Sequence, residues 1–142
     1  MPEANGASFE KVSTSDQPLY GPRRLFLCGF PAEAQSKFEI VLKAVSLQGV
    51  SKIWVTDDQV DMLLSEMVIL EDNQGAGLSS KLPRAIIVAG ISQNELISLM
   101  TVCKQAGMKG ALWATLTPTS EGWSVQQLLS ELAAEREALS KK

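Results

Sequence analysis

Cys28 is the residue that the sequence places best for covalent chemistry. It stands near the end of the apolar run Leu25–Gly29, and open α/β sheets bind ligands at the carboxyl ends of such strands. A cysteine phosphatase needs an arginine six residues later, where Ala34 stands, and a thioredoxin needs a second cysteine where Pro31 stands. We therefore interpret Cys28, and likewise Cys103 on an apolar helix face, as buried structural residues, and we predict no catalytic residue.

Gly29 and Gly90 are candidates for an anion site. Each ends a predicted strand and precedes a predicted helix, so backbone N–H groups there could bind an anion. Neither glycine belongs to a glycine-rich phosphate loop, and Pro31 removes one of the donors. The sequence favours turn glycines at both positions, with a small-molecule or anion-binding cleft at the carboxyl ends of the first and third strands as the alternative.

Acidic residues near predicted helix starts could gather to bind a hard cation. They are Glu33, Asp57, Asp58, Glu95 and Glu121. Side chains at helix starts mostly cap the helix and complement its dipole, and we prefer that interpretation. The chain also contains no histidine, the commonest metal ligand and general base. We therefore predict no metal site and no cofactor.

Two similar stretches of sequence position these residues. Pro22-Arg23 precedes one strand and Pro83-Arg84 another, and Gly29 and Gly90 follow at the same spacing of 61 residues. Each stretch continues with a helical pattern, a strand with one tryptophan (Trp54 or Trp113) and a second helix. The second helices contain similar five-residue segments, Leu63–Met67 and Leu128–Leu132. We expect a duplicated β-α-β-α unit.

The alternation of strands and helices predicts an α/β fold. We expect a three-layer sandwich whose four-stranded, mainly parallel sheet has the order 2-1-3-4 and arises from two β-α-β-α repeats. Right-handed crossovers would then place the first and fourth helices on one face, and the second and third on the other. A flexible tail is predicted over residues 1–21 and a single domain over 22–142, with halves 22–71 and 83–135 and the linker 72–82.

Composition excludes several classes of partner. The net charge of −3 and a pI of about 5.0 argue against nucleic acid, which basic surfaces bind. No apolar run approaches the roughly 20 residues that span a bilayer, so we predict no membrane insertion. The N-terminus lacks the features of a secretory signal, and two cysteines make no disulfide framework, so a reducing compartment is expected.

The start of the last helix has a clear local signature. Ser124 and Gln127 fit a capping box, in which each side chain bonds to a free backbone N–H group. Trp123 and Leu128 stand at the positions of a hydrophobic staple across the same helix start. Local architecture is therefore sufficient to explain these four residues.

The residues just before that signature are less easily explained by the helix. Thr117, Pro118 and Thr119 precede the cap by several residues, and Glu121 is expected to be exposed at the edge of the sheet. Loops at such an edge carry binding groups on a rigid scaffold. The predicted ligand- or partner-binding residues are Gly29, Gly90, Thr117, Pro118, Thr119 and Glu121.

The second half of the chain resembles a small, mostly bacterial family of domains of unknown function. Its pattern combines G-I-S-x-x-E-L, A-x-x-T-P-T-[N/S]-x-x-W and L-L-x-E-L, matched here at Gly90–Leu96, Ala114–Trp123 and Leu128–Leu132. The resemblance covers about residues 83–135, and Ser120 replaces the usual asparagine. It implies an α/β unit but no known activity.

The P-L-Y-G-P-R run at Pro18–Arg23, followed by two such halves, is similar to nucleus-encoded plastid proteins of plants and algae. This second resemblance implies that the tail is what remains after removal of a transit peptide. It also implies an accessory or assembly role in the chloroplast stroma or at the thylakoid surface, including photosynthetic complex biogenesis. A cytoplasmic location is the alternative.

These observations favour a non-enzymatic protein-interaction module. A protein partner of unknown identity is expected, and the chain itself is expected to be a monomer or a weak homodimer. The binding domain with a cleft beyond Gly29 and Gly90 is the second hypothesis. An enzyme using Cys28 or the carboxylates is the third.

Overall fold

The structure, a computed structural model, describes residues 17–108 and 110–140. Four strands form one sheet: β1 (Arg24–Cys28), β2 (Ser51–Val55), β3 (Ala85–Ala89) and β4 (Leu112–Thr115). The α-helices are α1 (Ala32–Ala44), α2 (Leu64–Met67), α3 (Gln93–Gln105) and α4 (Val125–Ser140), and 3₁₀ turns lie at Asp57–Gln59 and Ser120–Gly122. The strand order is β2-β1-β3-β4, so the predicted α/β class and strand order are confirmed.

The two halves of the sheet meet in an antiparallel pair. β1 is parallel to β2, and β3 is parallel to β4, as the mainly parallel prediction requires. Between them, Arg24 of β1 lies opposite Ala89 of β3, and Cys28 lies opposite Ala85. The carboxyl ends of β1 and β3 therefore lie at opposite ends of the sheet.

Helices cover both faces of the sheet, but not in the predicted pairs. On one face, Phe38 and Leu42 of α1 share a core cluster with Leu99 of α3. On the other face, α2 and α4 pack their buried apolar residues. The predicted pairing of α1 with α4 is wrong because an antiparallel central pair relates the halves by an axis perpendicular to the sheet. Such an axis keeps corresponding helices on the same face, whereas an axis along the strands exchanges the faces.

The centre of the sheet is apolar on both faces, as strands enclosed between helices require. In β1, Leu25 and Leu27 point to the α1–α3 face, and Phe26 and Cys28 point to the other face. Three rings stabilise the first core by edge-to-face packing. They are Phe30, Phe38 and Trp54, with ring centroids 5.2 to 6.2 Å apart.

Corresponding elements of the two halves start at a constant spacing of 61 residues. The pairs are Arg24 and Ala85 for β1 and β3, Ala32 and Gln93 for α1 and α3, Ser51 and Leu112 for β2 and β4, and Leu64 and Val125 for α2 and α4. At this spacing Trp54 corresponds to Thr115 rather than to Trp113, so the predicted matching of the tryptophans is wrong. The similar segments Leu63–Met67 and Leu128–Leu132 are likewise out of register, because Leu64 corresponds to Val125 and not to Leu129.

The predicted helix caps are largely present. Ser92 and Glu95 form a complete capping box: the Glu95 N–H donates to Ser92 Oγ at 3.1 Å, and the Ser92 N–H donates to Glu95 Oε1 at 2.8 Å. At α4, the Gln127 N–H donates to Ser124 Oγ at 3.0 Å. These bonds satisfy backbone donors that a helix start leaves free.

The last residues of the predicted flexible tail pack against the second half. The Leu19 N–H donates to the Ile91 carbonyl at 2.8 Å, and the Gly90 N–H donates to the Tyr20 carbonyl at 3.1 Å. Leu19 and Tyr20, the last part of the predicted tail, are thus bonded to the segment between β3 and α3. Residues 1–16 of the predicted tail lie outside the described residues.

Candidate functional site

Gly90, the first candidate for anion binding, is enclosed by the chain's own backbone. Its φ of +70° is a conformation that glycine adopts without steric cost. A Cβ atom at this position would lie 2.5 Å from Arg23 N and 2.6 Å from Gly21 O. The residue is thus a turn glycine in close contact with the segment that precedes β1, and that segment occupies the space a ligand would need.

Gly29 has the same kind of environment at the other end of the sheet. Its φ is +76°, and a Cβ atom there would overlap the backbone of Leu82 and Pro83. The Arg84 Nε–H donates to the Gly29 carbonyl at 2.9 Å, and the Arg84 guanidinium lies 4.4 Å from the centroid of the Phe30 ring. The interpretation of both glycines as turn residues agrees with this geometry.

The expectation of one cleft shared by Gly29 and Gly90 is wrong. The antiparallel pairing of β1 with β3 places the two glycines at opposite ends of the sheet. Each end is filled by the segment that leads into the other central strand, Gly21–Arg23 at one end and Leu82–Pro83 at the other. The predicted cleft required β1 and β3 to be parallel, which would have brought the two glycines to the same edge.

The two thiols are protected from reaction by burial. Cys28 is buried in β1, and desolvation raises its pKa to about 12. Cys103 is buried on α3, and desolvation raises its pKa to about 11. Since the thiolate is the nucleophile, both side chains are protonated and unreactive near neutral pH.

Three of the five candidate acidic residues bond to other parts of the chain. Two hydrogen bonds, of 2.7 and 2.6 Å, join Glu95 to Arg23, and this pairing lowers the Glu95 pKa to about 2. Asp57 accepts from the Lys81 N–H at 2.8 Å, which lowers its pKa, and Glu121 accepts from the Tyr20 hydroxyl at 2.8 Å. Within the described residues, no group of three cysteines or carboxylates could hold a metal ion.

The loop after β4 is organised by a buried serine. The Thr117 N–H donates to Ser120 Oγ at 2.9 Å, and the Ser120 N–H donates to Thr117 Oγ1 at 3.0 Å. Ser120 thus closes a tight turn that leaves Thr117, Pro118 and Thr119 on the surface. Glu121 was predicted to be exposed, but it is half-buried and accepts a hydrogen bond from the Tyr20 hydroxyl.

The backbone of β4 has one side that makes no hydrogen bond to any described residue. The Leu112 N–H donates to Arg84 O and the Leu116 N–H donates to Val88 O, both at 2.9 Å, so these residues direct their backbone groups to β3. Backbone groups alternate in direction along a strand, and those of Trp113 and Thr115 therefore point away from the sheet. Among the described residues, none bonds to them. We call this side of β4 the open edge.

An apolar depression of about 460 Å³ lies beside the open edge. Met100, Cys103 and Met108 line it together with the half-buried Trp113. Met100 is 40% exposed. Because the methionine side chain is flexible, it can pack against a variety of apolar surfaces. None of the predicted binding residues belongs to this surface. The sequence signal that could have revealed it is the polar Thr115, two residues after Trp113 in the last predicted strand.

Two features limit the length of the open edge. At its start, the Arg136 guanidinium donates to the carbonyls of Gly110 and Ala111 at 2.8 and 3.0 Å. At its end stands Thr117, the next outward residue, whose N–H donates to Ser120 Oγ at 2.9 Å and whose carbonyl accepts from the Glu121 N–H at 3.0 Å. Only a short strand could therefore pair here without a clash or an unpaired group.

Comparison with known families assigns a domain to the second half of the chain. Residues 84–139, which include β3, α3, β4 and all of α4 except Ser140, match DUF3783, a domain of unknown function. The expectation that this half resembles a domain of unknown function is thus confirmed. Neither the curated proteins nor the solved structures contain a match to the chain. No helix in the described ranges has both the length and the apolar character needed to cross a membrane.

Proposed function

We propose that this chain is a non-enzymatic protein-interaction module that binds its partner through the open edge and the adjacent loop 117–119. The observation that carries the proposal is the pair of unbonded backbone positions in β4, Trp113 and Thr115, next to an apolar depression. An uncovered strand edge is a template for pairing with another chain, and proteins usually block such edges. Main-chain hydrogen bonds would give affinity, and the depression would give specificity.

The non-enzymatic part of the proposal is supported by the state of the reactive groups. Both thiols are buried and protonated, and the carboxylates at the ends of the sheet are engaged by Arg23, Tyr20 and Lys81. The glycines that could have bound an anion are packed against backbone. None of these groups is arranged to act on a substrate.

We further propose that the module is an assembly or accessory factor of the chloroplast. The support is the similarity of the Pro18–Arg23 run and the two halves to nucleus-encoded plastid proteins. Immunoblotting of fractionated cells from the source organism tests the location. We expect the chain in the stromal fraction or at the thylakoid surface, and recovery in the cytosol alone would refute this location.

We also propose that the two halves arose by duplication of one β-α-β-α unit. The constant spacing of 61 residues between corresponding elements supports this origin. So does the correspondence of Pro22-Arg23 with Pro83-Arg84, since each pair leads into a central strand and packs against the turn glycine of the other half.

Affinity capture from the native source tests the interaction function. The bait variants are Thr115→Lys on the open edge and Thr119→Ala in the loop, with Ser36→Lys as a control that places the same charge on the exposed surface of α1. We expect the wild type and Ser36→Lys to retain the same partner proteins. Thr115→Lys should lose them, because a lysine on an edge strand opposes pairing. Capture that is equal for all four baits would contradict the proposal.

A further inference from the structure

We propose that the open edge pairs with the open edge of a second copy of this chain. The two β4 strands would lie antiparallel about a twofold axis at Ala114 and join two four-stranded sheets into one of eight strands. This inference rests on the proposed interaction function and specifies the partner. It is carried by the hydrogen-bond pattern, the length and the charge of the edge.

The hydrogen-bond pattern of β4 is complementary to itself. Its free N–H and C=O groups belong to Trp113 and Thr115, which lie on either side of Ala114. In an antiparallel pair, two opposite residues exchange two hydrogen bonds. Trp113 of each copy would lie opposite Thr115 of the other, and the two pairs would form four hydrogen bonds in all. Every free backbone group of the edge would then be bonded.

The length of the edge also suits a second copy. Arg136 occupies the carbonyls just before β4, and the N–H and C=O groups of Thr117 after it bond within their own turn. A longer extended segment would pass these limits at both ends and leave some of its own groups unpaired. A second β4 carries the same limits, so the two short strands match over their whole free length.

Charge favours the same arrangement. Residues 110–120 contain no charged side chain, so the two paired strands themselves bring no like charges together. The charged groups beside them are Lys104, which lines the depression, and Arg136, which bonds to the carbonyls of Gly110 and Ala111. On the face that α3 covers, each Trp113 would pack beside the exposed Thr115 of the other copy and extend the apolar depression across the interface.

The small size of this contact predicts a weak dimer. Stable dimers bury roughly 800 Å² on each partner, far more than one short strand and one depression provide. We therefore expect a dissociation constant on the order of 100 μM. Sedimentation velocity is the appropriate measurement, over concentrations from about 10 μM to about 1 mM on either side of that value.

The test compares the full chain with Thr115→Pro, Thr115→Lys and the charge control Ser36→Lys. Proline is tolerated on edge strands and removes one outward N–H from each copy. We expect the mean mass of the wild type and of Ser36→Lys to rise from 15.3 kDa toward twice that value, while both Thr115 variants stay monomeric. Circular dichroism establishes that each variant is folded. In the wild type, exchange of the Trp113 and Thr115 amide hydrogens should slow as the concentration rises.

Two results would overturn the self-pairing: a wild-type mass of 15.3 kDa at every concentration, or a dimer that survives in both folded Thr115 variants. Neither result contradicts the proposed function by itself. A monomeric chain whose captured partners still depend on Thr115 would show that the open edge binds a different protein. A monomeric chain whose captured partners do not depend on Thr115 would contradict the proposed interaction function as well.

Discussion

The two edge strands of the sheet occupy corresponding positions but are treated differently by the rest of the chain. On β2, the outward residues are Lys52 and Trp54, and the segment after α2 bonds to both. The Asn73 N–H donates to the Lys52 carbonyl at 2.7 Å, and the Trp54 N–H donates to the Gln74 carbonyl at 2.9 Å. The corresponding residues of β4, Trp113 and Thr115, have no such cover in the described structure.

The difference arises from the path of the chain at the second helix of each half. α2 ends after one turn at Met67, and the chain then returns along β2 through Asn73, Gly75 and Gly77, all of which have positive φ. α4 instead continues to Ser140, and no described segment returns along β4. Within the described residues, the same unit therefore covers its edge strand in the first half and leaves its edge strand open in the second.

The largest effect is expected from breaking the cover on β2. Gly75 and Gly77 have nearly the same φ, +84° and +85°, but a Cβ atom at Gly75 would overlap the Trp54 carbonyl, while one at Gly77 meets nothing within 4 Å. We expect Gly77→Ala to cost about 1 kcal/mol of stability through backbone strain alone. Gly75→Ala should cost about 3 kcal/mol, because the loop must also move away from the strand.

Urea unfolding of the two variants measures this difference. Gly77→Ala is the matched control, since it carries the same backbone strain without the contact. Equal losses of stability would mean that the segment over β2 yields easily. The contrast between a covered and an open edge would then have little energetic basis.

Much of the fold could be predicted from sequence because its signals are local. The buried strands β1 and β3 are continuous apolar runs, and Ser92 with Glu95 marks a helix start. The turn glycines were also interpreted correctly, since Gly29 and Gly90 come directly after these runs. Each of these features depends on residues close together in the chain.

The direction of β3 relative to β1 could not be predicted in the same way. Both strands are buried on both faces, so their apolar patterns are equally compatible with a parallel or an antiparallel neighbour. Because the predicted direction was wrong, the predicted helix pairs and the predicted common cleft at Gly29 and Gly90 were wrong as well. The open edge was missed for a related reason, because whether a distant segment covers a strand depends on tertiary contacts.

The second prediction concerns the arginines that lead into the two central strands. Arg23 pairs with the Glu95 carboxylate, whereas Arg84 donates to the backbone carbonyl of Gly29. We expect Glu95→Gln to lower stability at neutral pH by about 1 kcal/mol, a modest value because the Arg23 side chain is 48% exposed. The folded-state pKa of Glu95 lies well below its ordinary value, so its stabilisation is fully present above about pH 5 and is lost as the pH falls toward 2.

Denaturant unfolding between about pH 2 and pH 7 tests this expectation. The stability of the wild type should fall more steeply than that of Glu95→Gln as the pH is lowered through this range. Arg84→Ala is the control from the other half, since its lost bond involves no titrating group and should leave the steepness unchanged. Parallel curves for wild type and Glu95→Gln would show that the ion pair does not stabilise the fold.

The smallest expected effect distinguishes a structural role from a binding role for Thr117 and Thr119, at the end of the open edge. The Thr117 hydroxyl bonds to buried Ser120, whereas the exposed Thr119 side chain makes no hydrogen bond within the described residues. We expect Thr117→Ala to cost about 1 kcal/mol through loss of the turn, and Thr119→Ala to cost less than about 0.5 kcal/mol. Thermal unfolding of the two variants, with Thr117→Ser as the control that keeps the hydroxyl, measures the difference.

Because Thr119→Ala leaves the fold intact, any loss of partner capture in that variant must come from the surface itself. Equal destabilisation by both alanine substitutions would instead make the whole loop architectural and confine recognition to β4.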